Sequence, residues 1–86
     1  MTSERGEALE VILYTVPNCP LCARTRSWLL RRGVRFTERD VANDFGALRA
    51  MYKLTRQNLV PVVQTADDAL VRPSDEDLAD LLDTDD

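Results

Sequence analysis

The sequence predicts one α/β domain in the order β-α-β-α-β-β-α. Three observations predict it. Stretches with the period of a strand alternate with stretches of helical period. Gly33 and the prolines at 17, 61 and 73 fall between those stretches. The 86 residues, 44% of them hydrophobic, fit a single modest core rather than a disordered chain.

Residues 9–15 (LEVILYT) are β-branched or apolar on both faces apart from Glu10, the pattern of a central strand. Pro17 breaks it, because proline donates no ladder hydrogen bond. A helix is predicted over about residues 20–32, with Pro20 tolerated in its first turn. Cys22, Thr25 and Leu29 share one face, flanked by Leu21 and Trp28. Arg31 and Arg32 suit the negative end of the dipole, and Gly33 suits a left-handed cap. Residues 34–40 alternate, with Val34 and Phe36 inward and Arg35, Thr37 and Arg39 outward, which predicts an edge strand.

Asn43 or Asp44 caps the next helix, whose buried stripe is expected to be Phe45, Leu48, Met51 and Tyr52. Residues 55–59 read as a loop. Residues 62–65 and 69–72 read as a hairpin about Ala66-Asp67-Asp68. Pro73 stops it. Ser74 with Asp77 has the spacing of a capping box, and Leu78, Leu81 and Leu82 form the apolar face of the last helix.

The domain is thus expected over residues 9–82, with residues 1–8 a flexible polar tail and residues 83–86 an acidic end. No apolar run is long enough for a membrane span, and residues 1–8 lack the apolar centre of a secretion signal, which points to the cytoplasm. Net charge is −4, but residues 75–86 hold seven acids and no base, leaving +3 on the rest. So small a basic excess beside an acidic end argues against nucleic-acid binding.

Only two cysteines are present, in Cys19-Pro20-Leu21-Cys22. A bridge between them closes too small a loop to be a useful staple. A zinc site usually wants four protein ligands, and the chain has no histidine and no third cysteine. A CxxC that follows a strand and opens a helix instead suits disulfide exchange. The dipole and free N–H groups of the helix start favour a negative sulfur at Cys19, and Cys22 lies one turn behind it as the resolving thiol. Arg24 and Arg26 either add positive potential there or point to solvent.

These residues resemble the glutaredoxin-like branch of the thioredoxin superfamily over about residues 9–82. The resemblance is carried by residues 11–15 (VILYT), by Cys19-Pro20-Leu21-Cys22, by the Val60-Pro61 step and by the closing Asp77-Leu78 helix. It implies a thioredoxin-like fold with a four-stranded mixed sheet, a nucleophilic Cys19, a resolving Cys22 and a cis Val60–Pro61 bond beside them. It also implies that the Val60 backbone, with Pro20 and Leu21, meets an extended substrate. Glutaredoxins carry a lysine where Val16 stands, often Thr-Val-Pro where this chain has Leu59-Val60-Pro61, and a Gly-Gly pair where it has Arg72-Pro73. Those elements bind glutathione, so glutathione is expected to be a poor reductant unless Arg56, Gln57 or Arg72 substitutes for them. Redoxins that serve ribonucleotide reductase and take electrons from thioredoxin reductase, the NrdH type, are similar.

The expected function is therefore a monomeric thiol–disulfide electron carrier without a tightly bound cofactor. Its substrate would be a disulfide-containing protein such as ribonucleotide reductase, and its reducing equivalents would come from thioredoxin reductase or glutathione. Two alternatives belong to other classes. One is an iron–sulfur cluster held between two chains through Cys19 and external thiols. The other is a redox-inert interaction module that kept the fold.

Overall fold

A computed structural model describes residues 10–82; the expectations for residues 1–8 and 83–86 lie outside them. The elements are β1 (Ile12–Thr15), α1 (Pro20–Arg31), β2 (Thr37–Asp40), α2 (Phe45–Thr55), β3 (Val62–Gln64), β4 (Ala69–Val71) and α3 (Asp75–Leu82). The strands form one sheet in the order β2-β1-β3-β4. β1 pairs parallel with β2 and antiparallel with β3, and β3 pairs antiparallel with β4. This is the mixed four-stranded sheet of the thioredoxin-like fold.

Alternation along the strands divides the core in two. Leu13 and Val63 face α1 and α3, meeting Trp28, Leu29, Leu78 and Leu82. Tyr14 and Val62 face the other way, meeting Ala47 and Met51 of α2, and Cys22 joins this second cluster. β2 begins three residues later than its alternation predicts. Its ladder opens at Ile12↔Thr37, so residues 34–36 lie beyond the end of β1. Val34 and Phe36 still pack inward against the first cluster without ladder partners.

The helix ends follow local chemistry. The Gly33 N–H reaches the Leu30 carbonyl at 3.1 Å and the Val34 N–H reaches the Leu29 carbonyl at 3.0 Å, the paired bonds of a Schellman motif. Gly33 holds φ +71° there. The Asp44 carboxylate accepts from the Ala47 N–H at 3.1 Å and caps α2. Ser74 and Asp77 close the capping box reciprocally: each backbone N–H donates to the other's side chain, at 3.2 and 3.0 Å.

Two expected core positions are not in the core. Phe45 is 70% exposed and Tyr52 45% exposed. The inward direction of α2 is set by Ala47 and Met51, both fully buried. Phe45 sits two residues from Ala47, about 200° around the helix, and Tyr52 sits about 100° from Met51. Leu21, placed beside the buried face of α1, is also largely exposed.

Gly33→Ala tests the cap. A Cβ there meets open space, so only the left-handed backbone resists it. The substitution is expected to cost about 1 kcal/mol. Denaturant unfolding should show a lower midpoint with an unchanged m-value.

Candidate functional site

The site grows out of the end of β1. Tyr14 and Thr15 are buried, which fixes where the chain leaves the sheet. Pro17 and Asn18 turn it, with Asn18 at φ 61°, and Cys19 becomes the N-cap of α1. Pro20 occupies the first turn, where a missing N–H costs nothing. The Cys19 Sγ accepts the Cys22 N–H at 3.1 Å, so the sulfur takes the capping role usually played by a Ser or Asp oxygen. The start of the helix thus presents its dipole end and one N–H to that sulfur.

The two cysteines differ in surroundings. Cys19 is half-buried and free, while Cys22 is free and fully buried. Burial, and then the hydrogen bond to Cys19, push the Cys22 thiol up to about 11; a Val16 backbone contact and Arg26 pull weakly the other way. Val16, Pro17, Asn18, Pro20, Ala23 and Arg26 line the open cleft around Cys19.

Arg26 does not point freely to solvent. It grips Glu38 of β2 in two places, Nε to Oε1 at 2.8 Å and Nη2 to Oε2 at 2.6 Å. The Thr15 hydroxyl donates to the same carboxylate at 2.8 Å. Hydrogen bonding to Arg26, opposed by partial burial, holds the Glu38 carboxyl below its usual range. Glu38 and Thr15 were not singled out from the sequence. The signal was present: Glu38 shares its alternation parity with the inward Val34 and Phe36, and a charged residue there needs a partner.

The Val60–Pro61 bond is cis and both residues are buried. Val60 shares a cluster with Cys22, and Cys19 packs against it. Arg72 follows β4 at φ +50°. Its N–H donates to the Pro61 carbonyl at 2.8 Å and its Nε donates to the Val60 carbonyl at 2.8 Å. Pro61, Leu21, Arg24 and Arg72 line a second cleft that continues to Ser74 and Asp77. Arg56 stands apart from this cleft, exposed, as the left-handed cap of α2 at φ 59°. Among the described residues no three His, Cys, Asp or Glu side chains gather as a metal site, and no helix is long and apolar enough to cross a membrane.

A family model described as Glutaredoxin matches residues 11–70. An uncharacterized glutaredoxin-like 8.6 kDa protein in the rubredoxin operon of Clostridium pasteurianum is 33% identical over 51 residues, covering 59% of this chain and 68% of that one. The glutaredoxin grx-1 of Archaeoglobus fulgidus superposes with a TM-score of 0.79 at 26% identity, over 86% of each chain. The glutaredoxin-like NrdH-redoxin of Escherichia coli gives 0.66 at 24% identity, over 72% of this chain and 80% of that one, a likeness of fold alone.

Alkylation of the reduced protein at neutral pH should modify Cys19 about tenfold faster than Cys22, or more, because Cys22 is buried and stays protonated. Cys22 should begin to react only as pH climbs toward 11. Peptide mapping after a timed pulse measures both rates; equal labelling would contradict the division between the two sulfurs.

Proposed function

The chain belongs to the glutaredoxin family of thiol–disulfide redox proteins, and from that premise we propose that it reduces protein disulfides by a two-cysteine mechanism. One observation carries the reading: a half-buried Cys19 whose Sγ caps a helix start, with a fully buried Cys22 one turn behind it. Cys19, as thiolate, attacks one sulfur of the substrate disulfide. A mixed disulfide forms, and the substrate's other sulfur leaves as a thiolate that takes a proton. Cys22 then gives up its proton and attacks the Cys19 Sγ. The second substrate thiol leaves, and a Cys19–Cys22 disulfide remains. Two electrons pass from the cysteine pair to the substrate.

Burial of Cys22 suits the second step. A protonated, covered thiol does not compete for the incoming disulfide, and it is close when the mixed disulfide has formed. The two clefts that flank the CxxC offer an extended substrate a path across Pro20, Leu21 and the Val60-Pro61 edge.

For the electron source, the reading favours a thioredoxin-reductase-type flavoprotein over glutathione. A glutathione site must satisfy two carboxylates, and charge-assisted contacts to them are worth ~1.5–3 kcal/mol each. Val16 offers no charge. Arg72 spends its Nε on the Val60 carbonyl, so part of its guanidinium is already committed. Pro73 has no N–H to give. Loss of one such contact weakens binding by about tenfold. The neighbouring Escherichia coli NrdH-redoxin is described as having a thioredoxin-like activity profile, which agrees with this direction. Ribonucleotide reductase is the candidate substrate, on the resemblance of the Cys19-Pro20-Leu21-Cys22 and Val60-Pro61 residues to the redoxins that serve it.

Two measurements test the proposal. Turnover coupled to NADPH and thioredoxin reductase should exceed turnover coupled to glutathione and its reductase by about tenfold; the reverse order overturns the choice of reductant. Cys22→Ser should accumulate a stable mixed disulfide with a disulfide substrate, and Cys19→Ser should form none. A mixed disulfide through Cys22 in the Cys19→Ser protein would reverse the assigned roles.

A further inference from the structure

α2 carries apolar side chains on two faces. Ala47 and Met51 enter the core, whereas Phe45 and Tyr52 stand outside it, and Leu48 bridges the two faces. Residues 45, 48 and 52 are spaced to form one stripe along the helix. With Arg49, Lys53 and Asn58 they line a single open groove. A lone exposed apolar side chain needs no explanation, but a contiguous groove floored by two aromatic rings and a leucine does.

The rim of the groove is cationic. Arg49 leans over the Phe45 ring, 5.9 Å from its centre, and Lys53 lies one turn further on. Residues 45–66 contain Arg49, Lys53 and Arg56 and not one carboxylate. The nearest acid in sequence, Asp44, is occupied as the α2 cap and lies 3.7 Å from Arg39. An apolar floor with a positive rim selects an occupant that is apolar at its centre and acidic around it.

The groove also reaches the segment that leads to Pro61. Asn58 forms part of its lining, and Pro61 is only three residues further along. Three Cα–Cα steps span at most about 11 Å. Leu59, between them, is an exposed apolar side chain. Cys19 packs against the cluster that holds Val60, so a substrate segment running from Cys19 past Val60 approaches the Asn58 end of the groove, and extended chain covers ~3.3–3.6 Å per residue.

We propose that this groove docks an acidic segment with an apolar anchor, lying a few residues from the disulfide cysteine of the protein that Cys19 reduces. The proposal rests on the reading that the substrate is a protein disulfide. It assigns the choice among such proteins to α2, apart from the sulfur chemistry.

The test uses two twelve-residue peptides, each with one cysteine joined to thionitrobenzoate as a mixed disulfide. One carries a Leu-Phe pair flanked by three glutamates, starting five residues from the cysteine; in the other the glutamates are lysines. Hydroxyethyl disulfide serves as the small substrate. The wild-type chain should reduce the acidic peptide with a kcat/KM about fivefold or more above the lysine peptide, with the gap closing as salt rises. Arg49→Glu with Lys53→Glu should invert the preference. Phe45→Ser with Tyr52→Ser should lower kcat/KM for the acidic peptide. Both double variants should reduce hydroxyethyl disulfide at the wild-type rate. Equal kcat/KM for the two peptides, or a preference that survives charge reversal, overturns the proposal. So does a wild-type dimer in sedimentation that the charge reversal dissociates, since a second copy would then own the groove. Failure to reduce either peptide or hydroxyethyl disulfide is a different result: it removes the redox reading itself.

Discussion

The placing of two sulfurs one helical turn apart at the end of a buried strand is the constraint on which the rest of the structure depends. β1 contributes Leu13, Tyr14 and Thr15 to the interior, so the chain has no freedom where it leaves the sheet. α1 must then lay Cys22, Thr25, Trp28 and Leu29 inward to bury its apolar face. Once Cys22 is inward, Cys19 is left at the helix start beside the Cys22 N–H. The asymmetry between the sulfurs is a by-product of core packing. Any change that tilts α1 on the sheet would disturb it without touching either cysteine.

The parts of this arrangement that were legible in the sequence are those set by local period and local chemistry. The order of elements, Gly33 as a left-handed cap, the Ser74–Asp77 box and the CxxC at a helix start all follow from spacing within a few residues. The misses share a different cause. β2 begins late because its ladder depends on where β1 begins, which its own alternation cannot report. Phe45 and Tyr52 looked like core because helical spacing identifies a stripe but not which stripe faces inward. The sheet accepts α2 through Ala47, a residue small enough to let the helix approach, and that choice turns Phe45 outward. At the site, sequence located the sulfurs and the Val60-Pro61 step. It left the arginines open, because whether a charge is free depends on partners distant along the chain.

Those partners matter for where charge sits rather than for stability. The Arg26–Glu38 pair is about one third exposed on each side, and pairs of that kind contribute ~1 kcal/mol or less. Its geometric consequence is larger. A bidentate grip, with Thr15 holding the same carboxylate, fixes a guanidinium in the wall of the Cys19 cleft. The carboxylate also neutralises part of that positive charge, so the cleft sees an oriented dipole rather than a bare cation.

Arg72 shows the opposite trade. A left-handed backbone at a residue with a Cβ is unfavourable by ~1–2 kcal/mol, and glycine would adopt φ +50° without that cost. Glycine would also allow a ligand backbone to come close. The arginine gives up both advantages, and its main chain and side chain together engage the Pro61 and Val60 carbonyls. Two hydrogen bonds, one of them charge-assisted, are of the right size to offset the backbone cost. The result is an edge beside Pro61 held by its own chain and narrowed by a guanidinium. The proposed preference for a protein partner over glutathione rests on this edge, where a guanidinium already engaged with the Val60 carbonyl stands in place of a residue without a side chain.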